Sequence, residues 1–131
     1  MKIAVDFDGT VVQHEYPEVG VDVPGAVDTL KKLAEAGHLL TLYTMRSGYH
    51  LEEAAAWFRR NDIPLYGIQK DPEQEDWTSS NKCYAEVYID DAAFGAPLVE
   101  NKSGGRPYLD WSIVDKFFFP KAANKVVVLT E

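Results

Sequence analysis

The chain is poor in cysteine, short of basic residues and without any long apolar run. Its single cysteine, Cys83, rules out an internal disulfide. Cys83 has no nearby histidine in the sequence and belongs to no motif, so it reads as an inert thiol. No apolar stretch approaches the ~20 residues needed to span a bilayer. The N-terminus runs straight into a strand with no signal peptide, so a reducing cytoplasm is the expected location. Thirteen basic residues stand against 21 acidic ones, a formal charge of −8. Such a surface repels nucleic acid and anionic membranes, and neither is expected as a partner. An anionic small molecule is not excluded, because a divalent cation reverses the local field. His38 and His50 lack metal-ligand spacing to each other and read as surface or packing residues.

What the chain does have is enough apolar residue for a core: 46% of 131 residues. That length fits a single domain, residues 1–131, able to fold without disulfides or structural metal. Lys2 to Phe7 reads as a buried strand. Residues 11–23 show no helical period and read as a loop or small hairpin. Pro24 suits the first position of a helix carrying Ala26, Val27, Leu30, Leu33 and Ala34 at helical spacing, with Gly37 as its stop. Leu39 to Thr44 is a second strand. Ser47 is placed to cap a helix whose buried face holds Leu51, Ala54, Ala55 and Phe58 and which ends near Asn61. Leu65 to Ile68 and Glu86 to Asp90 are further strands, separated by a polar loop over 69–81. Beyond them, Asp110 is expected to cap a helix from Trp111 to Phe119, and Lys125 to Thr130 reads as a last strand. The alternation predicts an α/β fold: a Rossmann-like, doubly wound, mainly parallel sheet with helices on both faces. Residues 92–131 form its peripheral C-terminal part.

In such sheets ligands bind beyond the carboxyl ends of the strands. The polar residues of interest fall at those ends: Asp6 and Asp8, then Thr44, then Asp90 and Asp91. Two acids two positions apart lie on the same side of an extended chain. They repel each other unless a cation is near or one holds a proton, an arrangement suited to a Mg²⁺ site with a nucleophile and an acid/base side by side. Gly9 breaks the strand and lets the backbone approach a ligand closely. Adjacent strand residues point to opposite faces, so Asp90 and Asp91 are not expected to be equivalent ligands. His14, in the loop just after the Asp6–Thr10 run, could reach a leaving group or be solvated. Arg46 could bind a substrate carboxylate or second phosphate through its planar fork.

The run Asp6-Phe7-Asp8-Gly9-Thr10-Val11 resembles motif I, D-x-D-G-T-[VL], of the haloacid dehalogenase-like phosphatases. Thr44 stands where that superfamily has a lone Ser or Thr. Lys82 matches the lysine upstream of the fourth strand, and Val87-Tyr88-Ile89-Asp90-Asp91 resembles the acidic motif that ends it. The resemblance covers residues 6–91 in order. It implies a Mg²⁺-dependent phosphatase acting on a small-molecule phosphate ester through an aspartyl-phosphate. Asp6 would be nucleophile and metal ligand, and Asp8 acid/base and a ligand through its backbone carbonyl. Asp90 would be a direct ligand, with Asp91 supporting the ligands from behind or contributing more weakly. Thr44 and Lys82 would hold the transferred group.

Neither the gap Val11–Val23 nor Gln69–Asn81 is long enough for an inserted cap domain. A capless site points to a large substrate or to a neighbouring subunit as lid. Aromatics at Trp111, Phe117, Phe118 and Phe119 suggest a homo-oligomer. Two other readings share some features: a receiver-like phosphoacceptor domain, whose lysine would come last in the chain, and a non-catalytic binding module with the same fold.

Overall fold

The computed structural model describes residues 1–121. Four parallel strands form its centre: β1 (Lys2–Val5), β2 (Leu39–Leu42), β3 (Gly67–Ile68) and β4 (Val87–Ile89), in the spatial order β3-β2-β1-β4. Three helices accompany them: α1 (Ala26–Glu35), α2 (Gly48–Arg60) and α3 (Trp111–Phe118). A two-stranded antiparallel hairpin, β5 (Leu98–Val99) with β6 (Tyr108–Leu109), precedes α3. This is the expected α/β, Rossmann-like arrangement, and no cap domain interrupts it among the described residues. No helix among them is long and apolar enough to cross a membrane.

The strand period assigns the two faces of the sheet. Ile3, Val5, Leu40, Leu42 and Ile89 point into one core with Leu30 and Leu33 of α1, Ala54, Trp57 and Phe58 of α2, and Trp111 and Val114 of α3. The opposite face, with Ala4 and Thr41, is covered by residues 69–85, whose only helical element is a 3-10 turn at Gln74–Asp76. All three α-helices thus pack on one face, and where a helical layer was expected on the other there is an irregular segment with a single 3-10 turn. That segment is held by polar pins. The buried Gln74 side chain accepts from the amides of Asp71 (3.1 Å) and Tyr84 (2.9 Å) and donates to the Lys82 carbonyl (2.9 Å). Lys2 Nζ reaches the buried Asp71 carboxylate at 3.0 Å, and that contact holds the ammonium above its ordinary pKa. Cys83 is fully buried under this layer, and burial pushes its thiol up.

Pro24 lies one residue before the α1 cap rather than inside the helix. Gly25 takes the cap with φ +85°, and a Cβ there would stand 3.1 Å from Trp111 Cβ. The glycine thus lets α1 and the start of α3 close on each other. Asp110 caps α3 as expected, accepting from Ser112 N at 3.0 Å. Ser47 occupies the α2 cap position in extended conformation without a side-chain bond. The β5–β6 hairpin was not legible in the sequence, its strands being two residues each. The expected strand Lys125–Thr130 lies outside the described residues.

The C-terminal part is tied to the turn after β1. Leu109 N donates to Gly9 O (3.0 Å), and the buried indole of Trp111 donates to Thr10 O (2.7 Å). Trp111 is therefore core and not interface, whereas Phe117 is 72% exposed. Trp111→Phe keeps one aromatic ring but removes the indole N–H and part of the buried volume, so it should cost about 2–4 kcal/mol in denaturant unfolding; no measurable change would contradict this tie. A thiol reagent should label Cys83 only on unfolding, and rapid labelling of the native protein would contradict its burial.

Candidate active site

Parallel pairing of β1 with β4 puts Val5 opposite Ile89, so both strands release an acid at the same level: Asp6 from one, Asp90 and Asp91 from the other. Asp6 N still donates to Ile89 O at 3.0 Å. After Phe7 the chain turns back, with Thr10 N and Val11 N both donating to Phe7 O at 3.0 Å. The turn returns the fully buried Thr10 hydroxyl to Asp6, where it donates to Oδ2 at 2.8 Å. The Thr10 Oγ1 itself accepts from Asp91 N at 3.1 Å. One hydroxyl thus joins the β1 turn to the end of β4.

Asp6, Asp90 and Asp91 each offer a carboxylate oxygen, and these lie within 4.8 Å of one another. Asp90 and Asp91 both reach the cluster because β4 ends at Ile89 and the chain then bends, with Ala92 N donating to Asp90 Oδ1 at 2.9 Å. Strand alternation therefore no longer separates them, contrary to the expectation from a regular strand. The Asp6 carboxyl is pushed up to about 8, first by burial and then by the Asp90 charge, against the opposing Thr10 hydrogen bond. Three oxygen donors that repel one another in this way fit a hard divalent cation.

The remaining candidates fall into two groups. His14 faces Asp91, its Nε2 2.8 Å from Oδ2, instead of facing outward to a leaving group. Gly9 serves that pair. Its φ is +85°, and a Cβ would come within 2.0 Å of His14 Nε2 and 2.3 Å of Asp91 Oδ2. The close approach that the glycine permits is to these side chains. Asp8 stands apart from the acidic cluster and takes two hydrogen bonds from Arg46 (Nε to Oδ2 and Nη2 to Oδ1, both 2.8 Å). Arg46 is only 1% exposed and is not turned out toward a substrate.

Thr44 lies just past β2 at the same edge. Its Oγ1 accepts from Arg46 N (3.1 Å), which leaves the hydroxyl proton available to a ligand oxygen. Gln69, unremarked in the sequence, fixes this loop: it accepts from Thr44 N (2.9 Å) and donates to Thr44 O (2.7 Å). Its own φ of +68° is uncommon for a residue with a side chain. Thr10 and Gln69 are the positioning residues that sequence reasoning passed over. Thr10 had a signal in its motif; Gln69 had none. Lys82 does not join the carboxylates. Its ammonium sits 5.4 Å from the Tyr88 ring centre and makes no ion pair among the described residues.

No family model matches the chain. A solved structure of a conserved protein from Bacteroides thetaiotaomicron is 38% identical, with 96% of each chain covered and a TM-score of 0.73. The chain belongs to the family of that conserved protein. A curated protein of Oceanobacillus iheyensis, provisionally named a nucleotidase, is 34% identical over 58 residues, 40% of this chain. The match spans 31% of that relative's length.

The raised Asp6 carboxyl carries a sign for this family member. The folded state holds the Asp6 proton up to about pH 8, whereas the unfolded chain releases it near 3.8. Stability from this group is full below pH 4 and is lost as pH rises toward 8. In chelator, Asp6→Asn should therefore raise the melting temperature relative to wild type, by an increment that grows between pH 5 and pH 8. An equal increment at both pH values would show that Asp6 is not perturbed.

Proposed function

We propose that this protein is a phosphatase-like hydrolase, and specifically a Mg²⁺-dependent phosphoric monoester hydrolase of the haloacid dehalogenase superfamily acting on a small-molecule phosphate ester. The observation that carries the reading is the meeting of Asp6, Asp90 and Asp91 at the carboxyl edge of a parallel sheet, with Asp6 oriented by Thr10. The partial similarity to a protein named for nucleotidase activity supports the same class of chemistry.

Asp6 and Asp90 would hold the cation, with Asp91 beside them. When bound, Mg²⁺ would neutralise charge on the phosphoryl oxygens. Asp6 would attack phosphorus through a carboxylate oxygen. The P–O bond to the leaving group would break, and the leaving oxygen would take a proton from Asp8. A water would then attack the aspartyl-phosphate phosphorus and give its proton to Asp8, releasing phosphate and restoring Asp6. Asp8 can serve because Arg46 takes only one lone pair of each of its oxygens. The Thr44 hydroxyl is placed to donate to the transferred group. Lys82 would need to leave the Tyr88 ring to assist.

An aryl phosphate assay tests this. Hydrolysis should require a divalent cation, vanish in excess chelator and return with Mg²⁺. Asp6→Asn should lower turnover by roughly three orders of magnitude or more, as expected for loss of a nucleophile. Full activity in chelator would sink the metal assignment, and wild-type turnover by the Asn variant would sink the nucleophile.

A further inference from the structure

We propose that Arg46 is a positioning residue, which fixes the Asp8 carboxylate for proton exchange with the leaving group. This rests on the phosphatase reading above.

A guanidinium that is 1% exposed is costly to bury unless every donor is matched. Here the donors are matched. The fork of Nε and Nη2 meets both oxygens of Asp8 at 2.8 Å. Nη2 also donates to Glu18 O (2.8 Å), and Nη1 to Pro17 O (3.3 Å) and His50 O (3.5 Å). Glu53 adds a more distant charge at 3.9 Å. The guanidinium carbon lies 5.0 Å from the Phe7 ring centre and 5.1 Å from that of Tyr16. Contacts of this kind hold the guanidinium plane in place, and the fork transmits that plane to the carboxylate.

The geometry matters because Asp8 has competing attractions. It sits two residues from Asp6, next to a glycine at φ +85°. Were its side chain free, it could swing toward any cation held by the neighbouring acids. Arg46 turns it away from them while leaving it 19% exposed, open to a leaving group. Lysine could match the charge but not the two parallel hydrogen bonds.

A purely structural role would lower activity on every substrate alike. A positioning role predicts selective damage. The test compares Arg46→Met, Arg46→Lys, Asp8→Asn and the double variant Asp8→Asn/Arg46→Met with Mg²⁺ on two esters. One is 2,4-dinitrophenyl phosphate, whose leaving group needs no proton; the other is phenyl phosphate, whose leaving group does. Arg46→Met should lower kcat/KM, which reports the step that expels the leaving group, by roughly 10²-fold on phenyl phosphate. It should lower kcat/KM on the dinitrophenyl ester by less than about tenfold, while kcat on that ester follows hydrolysis of the common aspartyl-phosphate and falls with the loss of Asp8 as base. Arg46→Lys should fall between wild type and Met, and it supplies the same comparison if the Met variant does not fold. The double variant should be no slower than Asp8→Asn alone, because both changes remove one function. Equal losses of kcat/KM on the two esters, or losses that multiply in the double variant, overturn the assignment. A wild type that hydrolyses neither ester overturns the phosphatase reading itself and Arg46's role with it, a result distinct from either pattern.

Discussion

Everything at the carboxyl edge depends on the pairing of β1 with β4. Strands distant in sequence lie side by side in register, Val5 opposite Ile89, and the residues that follow each are acidic. The sheet thus forces negative charges together where they would otherwise separate. Hydrogen bonding along β1, which has a parallel partner on each side, and burial of Ile3, Val5 and Ile89 supply the opposing free energy. The price appears at Asp6, whose carboxyl is held well above its usual range. Carboxyls perturbed by burial and a neighbouring like charge cluster at functional sites.

Around that forced meeting the protein places short polar connections. Thr10 links Asp6 to the amide of Asp91, His14 holds the far oxygen of Asp91, and Trp111 holds the carbonyl of Thr10. The C-terminal hairpin and α3 thereby act as a buttress for the β1 turn. On the other side, Arg46 draws Asp8 out of the acidic group, and Gln69 secures the loop from which Arg46 projects. The four aspartates are thus divided into three that converge and one with a cation of its own. Environment makes that division, since the residue type is the same in all four.

The sheet and its three helices were largely legible from the period of apolar residues, because strands buried on both faces and helices with one buried stripe leave different repeats. Boundaries shifted where local geometry was decided by a neighbour: α1 starts after Gly25 because Trp111 lies against it. The hairpin at Leu98–Val99 and Tyr108–Leu109 left no usable period, being too short to show one. The acids of the site were legible as strand-end residues. Their grouping was not, since the bend after Ile89 that brings Asp91 beside Asp90 has no strong sequence sign.

By itself the sequence determined the α/β architecture, the identity of the acids and the edge of the sheet at which they would appear. Each of these follows from local periodicity and from the rule that strand ends carry the polar groups. Only the tertiary structure decided the partners. Arg46 is separated from Asp8 by 38 residues, His14 from Asp91 by 77 and Trp111 from Thr10 by 101. Pairings across such distances depend on which faces pack together. An exposed-looking arginine or tryptophan gives no local sign that it will be buried against one particular acid or carbonyl.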